Sequence, residues 1–141
     1  MGIFYRDLHV ERDRRNYFVM KSIMIVDDTA FTRLVLRNMF ESLGFEVIAE
    51  ADTGEDAVKN YCLYKPALVL MDISMPGMNG LIASRKIVEM DRDAKIIICS
   101  AVVHRETVIK AVQAGARDFI AKPLNMERIE WAVQSVFGTE M

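Results

Sequence analysis

Three aspartates, one serine and one lysine stand where short apolar segments end. Asp27 and Asp28 follow SIMIV, Asp72 follows ALVLM, Ser100 follows KIIIC, and Lys122, just ahead of Pro123, follows DFIA. Three carboxylates brought to one place repel one another unless a cation or protons compensate. A ligand set made only of oxygen favours a hard ion, and Mg²⁺ is the physiological choice because it shares its coordination with waters and a phosphate. A carboxylate can also attack a phosphoryl donor and become an acyl phosphate. Magnesium and Lys122 would then neutralise charge on the transferring oxygens, and the Ser100 hydroxyl could donate a hydrogen bond to one of them. Taken singly, each residue has an ordinary explanation as a helix cap, a turn former or a solvated surface charge. Their joint placement at successive segment ends does not.

The segments that must position these groups alternate between two patterns. Ser22–Val26, Glu46–Ala51, Ala67–Met71, Lys95–Cys99 and Asp118–Ala121 are short and apolar, and three of them are unbroken apolar runs, as strands covered on both faces should be. Amphipathic stretches lie between them. Ile129, Ala132, Val133, Val136 and Phe137 recur at helical spacing, and Phe31, Leu34, Val35 and Met39 predict a similar buried stripe on the first helix. Thr53 with Asp56 resembles a capping box, Asn125 is an N-cap residue, and Gly44 and Gly115 close the first and fourth helices. Five strand–helix units predict an α/β fold with a parallel, doubly wound sheet. In such sheets ligands sit at the C-terminal strand ends, which is where the acidic residues fall.

Composition narrows the function. Hydrophobic residues make up 52% of 141, enough for the core of one domain. The formal charge of −2 gives no support to a nucleic-acid binder. No apolar stretch approaches a membrane span, and the N-terminus has no signal-peptide core, so a cytoplasmic protein is expected. Cys62 and Cys99 form no CxxC pair, and Cys99, inside an apolar run, reads as a buried reduced thiol.

The segments MIVDDTAFTR, LVLMDISMPGMNG, KIIICSA and AVQAGARDFIAKP, with the final amphipathic helix, resemble the receiver domain of two-component response regulators, and most of all its single-domain chemotaxis members. The likeness covers about residues 21–137. It implies a flavodoxin-like (βα)5 fold with strand order 2-1-3-4-5. It implies Asp72 as the phosphorylated residue and a Mg²⁺ ligand, Asp28 as a direct Mg²⁺ ligand, Asp27 acting partly through water, and the Ser74 carbonyl as the third protein ligand. Ser100 corresponds to the switch hydroxyl and Lys122 to the phosphate-bound lysine. Phe119 stands where many members carry a rotating tyrosine; it keeps the ring and lacks the hydroxyl. Ser74 and Val102 flank the site where the family tunes the lifetime of the phosphoryl group, and neither is an acid or an amide. The family implies a phosphohistidine donor on a histidine kinase and a downstream target such as a flagellar motor switch. The target would read the surface of helix four, strand five and helix five, where His104, Arg105, Val108 and Arg117 are candidates. A monomer or weak dimer is expected, which promotes only its own phosphorylation and dephosphorylation.

Residues 1–20 lie outside the resemblance, leaving 21–138 as the expected receiver domain. The extension is read either as a leader without function or as an added interaction element carrying Phe4, Tyr5, Leu8, Tyr17 and Phe18. Two other functions compete. A haloacid-dehalogenase-type phosphatase also uses a strand-end aspartate with magnesium, but it needs a general acid two residues on, where this chain has Ser74. The receiver part of a transcriptional regulator would need an output module, for which the sequence after the last helix leaves no room.

Overall fold

A computed structural model describes residues 21–138. The extension 1–20 and the aromatic residues named in it lie outside the described residues. Five strands and five helices alternate: β1 Ser22–Val26, α1 Ala30–Ser42, β2 Glu46–Ala51, α2 Gly54–Tyr64, β3 Leu68–Asp72, α3 Gly80–Met90, β4 Ile96–Ser100, α4 Arg105–Gln113, β5 Asp118–Ala121 and α5 Met126–Phe137. All strand pairs are parallel, in the order β2-β1-β3-β4-β5. The expected fold class and strand order are both observed.

The three continuous apolar runs are the three central strands, and every residue of β3 and β4 is buried. Side chains alternate across the sheet. Ile23, Ile25, Leu68, Leu70, Ile97, Cys99 and Ile120 face Leu36 and Phe40 of α1 and Ile129, Ala132 and Val133 of α5. Met24, Val26, Val69, Met71, Ile96 and Ile98 face α2, α3 and α4 through Ala57, Tyr61, Ala83, Ile87 and Ala111. Each fully buried Ile or Leu contributes about 1.5–3 kcal/mol, so this two-sided core dominates the folding energy.

Three local readings shift. β3 and β4 each begin and end one residue later than the apolar runs suggest, which makes Asp72 and Ser100 the last strand residues themselves. On α1 the expected stripe is displaced: Phe31, Leu34 and Val35 are exposed, while Leu36 and Phe40 are buried and Met39 is only partly so. Apolar residues surround this helix, so periodicity alone admits two overlapping stripes, and packing on β1 selects the second. At α2, Thr53 accepts a hydrogen bond from the Asp56 N–H at 3.1 Å; among the described contacts the return bond that would complete a capping box is absent.

The caps otherwise hold. Asn125 accepts from the Arg128 N–H at 2.9 Å. Gly115, just after α4, has φ +100°, a left-handed conformation that glycine adopts without penalty.

Candidate functional site

The alternation that builds the core also builds the site. Two residues beyond Ile25, Leu70 and Ile120 stand Asp27, Asp72 and Lys122, all continuing toward the α1–α5 side of the sheet. Strand pairing reaches past the regular elements to fix them: the Asp27 N–H donates to the Ala51 carbonyl at 3.0 Å and the Lys122 N–H to the Ser100 carbonyl at 2.9 Å. Lys122 follows β5 directly and is joined to Pro123 by a cis peptide bond. Ser100 and Phe119 fall on the opposite parity, toward α4, and Phe119 packs half-buried against the cluster on that face.

One carboxylate oxygen from each of Asp27, Asp28 and Asp72 lies within 4.8 Å of the other two. Asp27 and Asp72 are buried and Asp28 is exposed, so the cluster opens to solvent on the Asp28 side. The Lys122 ammonium bridges the buried pair, 2.8 Å from Asp27 Oδ2 and 3.3 Å from Asp72 Oδ1. Asp27 also accepts from the Thr29 N–H at 2.9 Å.

The electrostatics are incompletely balanced. Burial pushes the Asp72 carboxyl above its ordinary range; Lys122 pulls it down, while Asp27 and Asp28 push it up again. Burial works against the Lys122 charge, yet its hydrogen bond to Asp27 and the neighbouring acids hold the ammonium above its ordinary value. Lys122 pairs with Asp27 and Asp72 only, and burial, with the two neighbouring carboxylates, still leaves Asp72 above its ordinary range. That imbalance, with an all-oxygen donor set open on one side, fits a hard divalent cation. Burial also pushes the Cys99 thiol, one residue before Ser100, up to about 12, so it stays protonated, as the sequence reading expected of a buried thiol.

Ser100 is buried, and its hydroxyl oxygen accepts from the Val102 N–H at 3.1 Å. Asp72 pairs with Cys99 across β3 and β4, which puts Ser100 one step further along the neighbouring strand. Ser74 is exposed in the loop between β3 and α3. Among the expected output-surface residues, His104, Arg105 and Arg117 are exposed and Val108 is half-buried.

Several supporting residues escape a linear reading. Arg33 on α1 donates to the Asp27 carbonyl at 2.7 Å and pairs with Glu50 of β2 at 2.9 Å, and Arg37 also binds Glu50. Gly80 lets α3 approach Asp72: a Cβ there would lie 1.9 Å from the Asp72 carbonyl oxygen. The loop after Asp72 is further held by Asn79, which accepts from the Ile82 N–H, and by Glu55, which accepts weakly from the Met78 N–H. Asn79-Gly80 has the form of a helix start, and that local signal was there to be read. The contacts of Arg33 and Glu55 span elements and leave no trace in spacing.

Comparison with known proteins agrees with this arrangement. Residues 23–134 match the response regulator receiver domain. The chain is 46% identical over 116 residues to chemotaxis protein CheY of Thermotoga maritima and 47% identical over 116 residues to CheY of Bacillus subtilis. Each alignment covers 82% of this chain and 97% of the relative. Among solved structures, a CheX–CheY–BeF3–Mg²⁺ complex from Borrelia burgdorferi superposes with a TM-score of 0.80 at 37% identity, covering 82% of this chain and 88% of that one. With the doubly wound sheet and the acidic strand-end cluster, these matches establish that the chain belongs to the response regulator receiver family, as a CheY-like phosphorylation-dependent switch.

Proposed function

We propose that the chain accepts a phosphoryl group on Asp72 from a phosphohistidine of a histidine kinase and passes the signal to a protein target in the cytoplasm, in chemotaxis. The observation that carries this reading is the cluster of Asp27, Asp28 and Asp72 at the strand ends, whose buried pair shares the Lys122 ammonium.

In the transfer, an oxygen of the Asp72 carboxylate attacks phosphorus, the P–N bond breaks, and the electron pair returns to the imidazole of the donor. Asp28, Asp72, the Ser74 carbonyl and, partly through water, Asp27 would hold Mg²⁺, which supplies charge neutralisation on the phosphoryl oxygens when bound; the Mg²⁺ in the similar CheY complex is consistent with this. Lys122 moves its hydrogen bonding from the carboxylates to a phosphoryl oxygen. The Ser100 hydroxyl turns from the Val102 N–H to donate to another. Phe119, on the same side of the sheet as Ser100, then packs into the space that Ser100 leaves, and the α4–β5–α5 surface changes for its target, for which a flagellar motor switch component is the leading candidate. The exposed apolar groove formed beside Lys122 by Phe31, Val35, Pro123 and Leu124 offers the donor protein a place to seat.

Intact-mass measurement after treatment with acetyl phosphate and Mg²⁺ tests the central step. The expected gain is one phosphoryl group, abolished in Asp72→Asn and on chelation of Mg²⁺. No gain in the unaltered chain overturns the proposal.

A further inference from the structure

On the outer face of α5, away from Asp72, two adjoining grooves share Glu130 and Gln134. One is completed by Glu127, Arg128 and Trp131. The other runs under the start of the chain's described part, between Lys21, Leu43, Phe45 and Val133. Trp131 is 67% exposed, with the Arg128 guanidinium 5.3 Å from its ring. Arg128 is itself engaged by Asp118 and the Phe119 carbonyl. Glu127 and Glu130 are exposed and have no ion-pair partner among the described residues. A large aromatic ring beside two uncommitted carboxylates is a surface suited to a basic segment with aromatic residues.

The chain carries such a segment in sequence immediately before Lys21. Residues 12–20, RDRRNYFVM, hold Arg12, Arg14 and Arg15 against Asp13 alone, followed by Tyr17 and Phe18. They join the fold at Lys21, which lines the second groove. A tether this short gives a high effective concentration, so weak individual contacts suffice.

We propose that residues 12–20 dock on the α5 surface of their own chain, the arginines against Glu127 and Glu130 and an aromatic side chain toward Trp131 or the Leu43–Val133 groove. This surface is distinct from the apolar groove beside Lys122.

Trp131 is the single tryptophan, so its fluorescence reports the contact in the full chain. At low ionic strength, the charge-reversed variant R12E/R14E/R15E is expected to be quenched by acrylamide about twofold more strongly than the unaltered chain, the order a few tethered surface ion pairs can hold. High salt is expected to bring the unaltered chain to the same level. E127K/E130K should lose the protection as well, and the combined five-residue swap should restore it. Equal quenching of the unaltered and charge-reversed chains at low salt overturns the proposal. So does protection that grows with protein concentration, which would make the occupant a second copy. The salt comparison needs no variant and stands even if one misfolds.

Discussion

Replacing Lys122 by Met removes the one ammonium that bridges the acidic cluster while keeping most of the side-chain volume. At separations of 2.8 Å and 3.3 Å, and with an effective dielectric constant of about 20, the gross attractions to Asp27 and Asp72 are about 6 and about 5 kcal/mol. Most of that is offset by the desolvation of the ions, and removing one partner of a fully buried pair typically costs about 3–5 kcal/mol. Lys122 retains 23% of its side-chain exposure, which lowers the expected loss to about 2–3 kcal/mol. For a domain of this size that is a fall in Tm of roughly 10 °C without Mg²⁺. The same substitution leaves three carboxylates facing one another, so a divalent cation relieves more repulsion in the variant than in the unaltered chain. Calorimetric or fluorescence-detected melting with chelator and with saturating Mg²⁺ should therefore show a larger Mg²⁺-induced rise in Tm for Lys122→Met. An unchanged Tm under chelator, or an equal Mg²⁺ effect in both proteins, would refute the view that Lys122 compensates this cluster.

Three more outcomes follow from the same contacts. Burial raises the folded-state pKa of Asp72 above its unfolded value, so without Mg²⁺ the fold binds more protons than the unfolded chain, and this group's contribution to stability falls as pH rises through that window; urea midpoints against pH should show a decline that Asp72→Asn removes. The Tyr61 hydroxyl donates to Asp91 at 2.7 Å and holds that carboxyl below its usual range; Tyr61→Phe should cost about 1 kcal/mol at neutral pH by chemical denaturation, the difference fading as pH falls through the lowered Asp91 pKa, where the unaltered protein loses the same stabilisation. Gly80→Ala places a methyl within 1.9 Å of the Asp72 carbonyl oxygen, which requires a backbone shift of β3 or α3; a loss of about 3 kcal/mol or more in thermal stability, with slowed phosphoryl acceptance, is expected, and a stable, fully reactive variant would show the approach to be looser than the structure indicates.

Much of the site could be read from the chain because strand ends are local features. An apolar run that stops at a charged residue marks both the end of a buried strand and the residue held there, so Asp27, Asp72, Ser100 and Lys122 were legible with no contact known. In the fold, the alternation of side chains carries Asp27, Asp72 and Lys122 to one side of the sheet, and the parallel order brings strands distant in sequence side by side. The resemblance to receivers supplied roles that spacing alone does not contain.

What tertiary structure alone decided is where a local rule leaves several answers or none. The first helix carries apolar residues around its circumference, and only docking on the sheet buries Leu36 and Phe40 while leaving Leu34 exposed and Phe31 and Val35 exposed beside Lys122. Arg33 and Glu50 meet across α1 and β2, and Gly80 meets the Asp72 carbonyl across a loop. These pairings depend on distances set by the packed sheet, which no residue type announces. The charge balance of the site is of the same kind: the sequence names three acids and a lysine, but whether the lysine suffices depends on burial and on separations of a few ångströms.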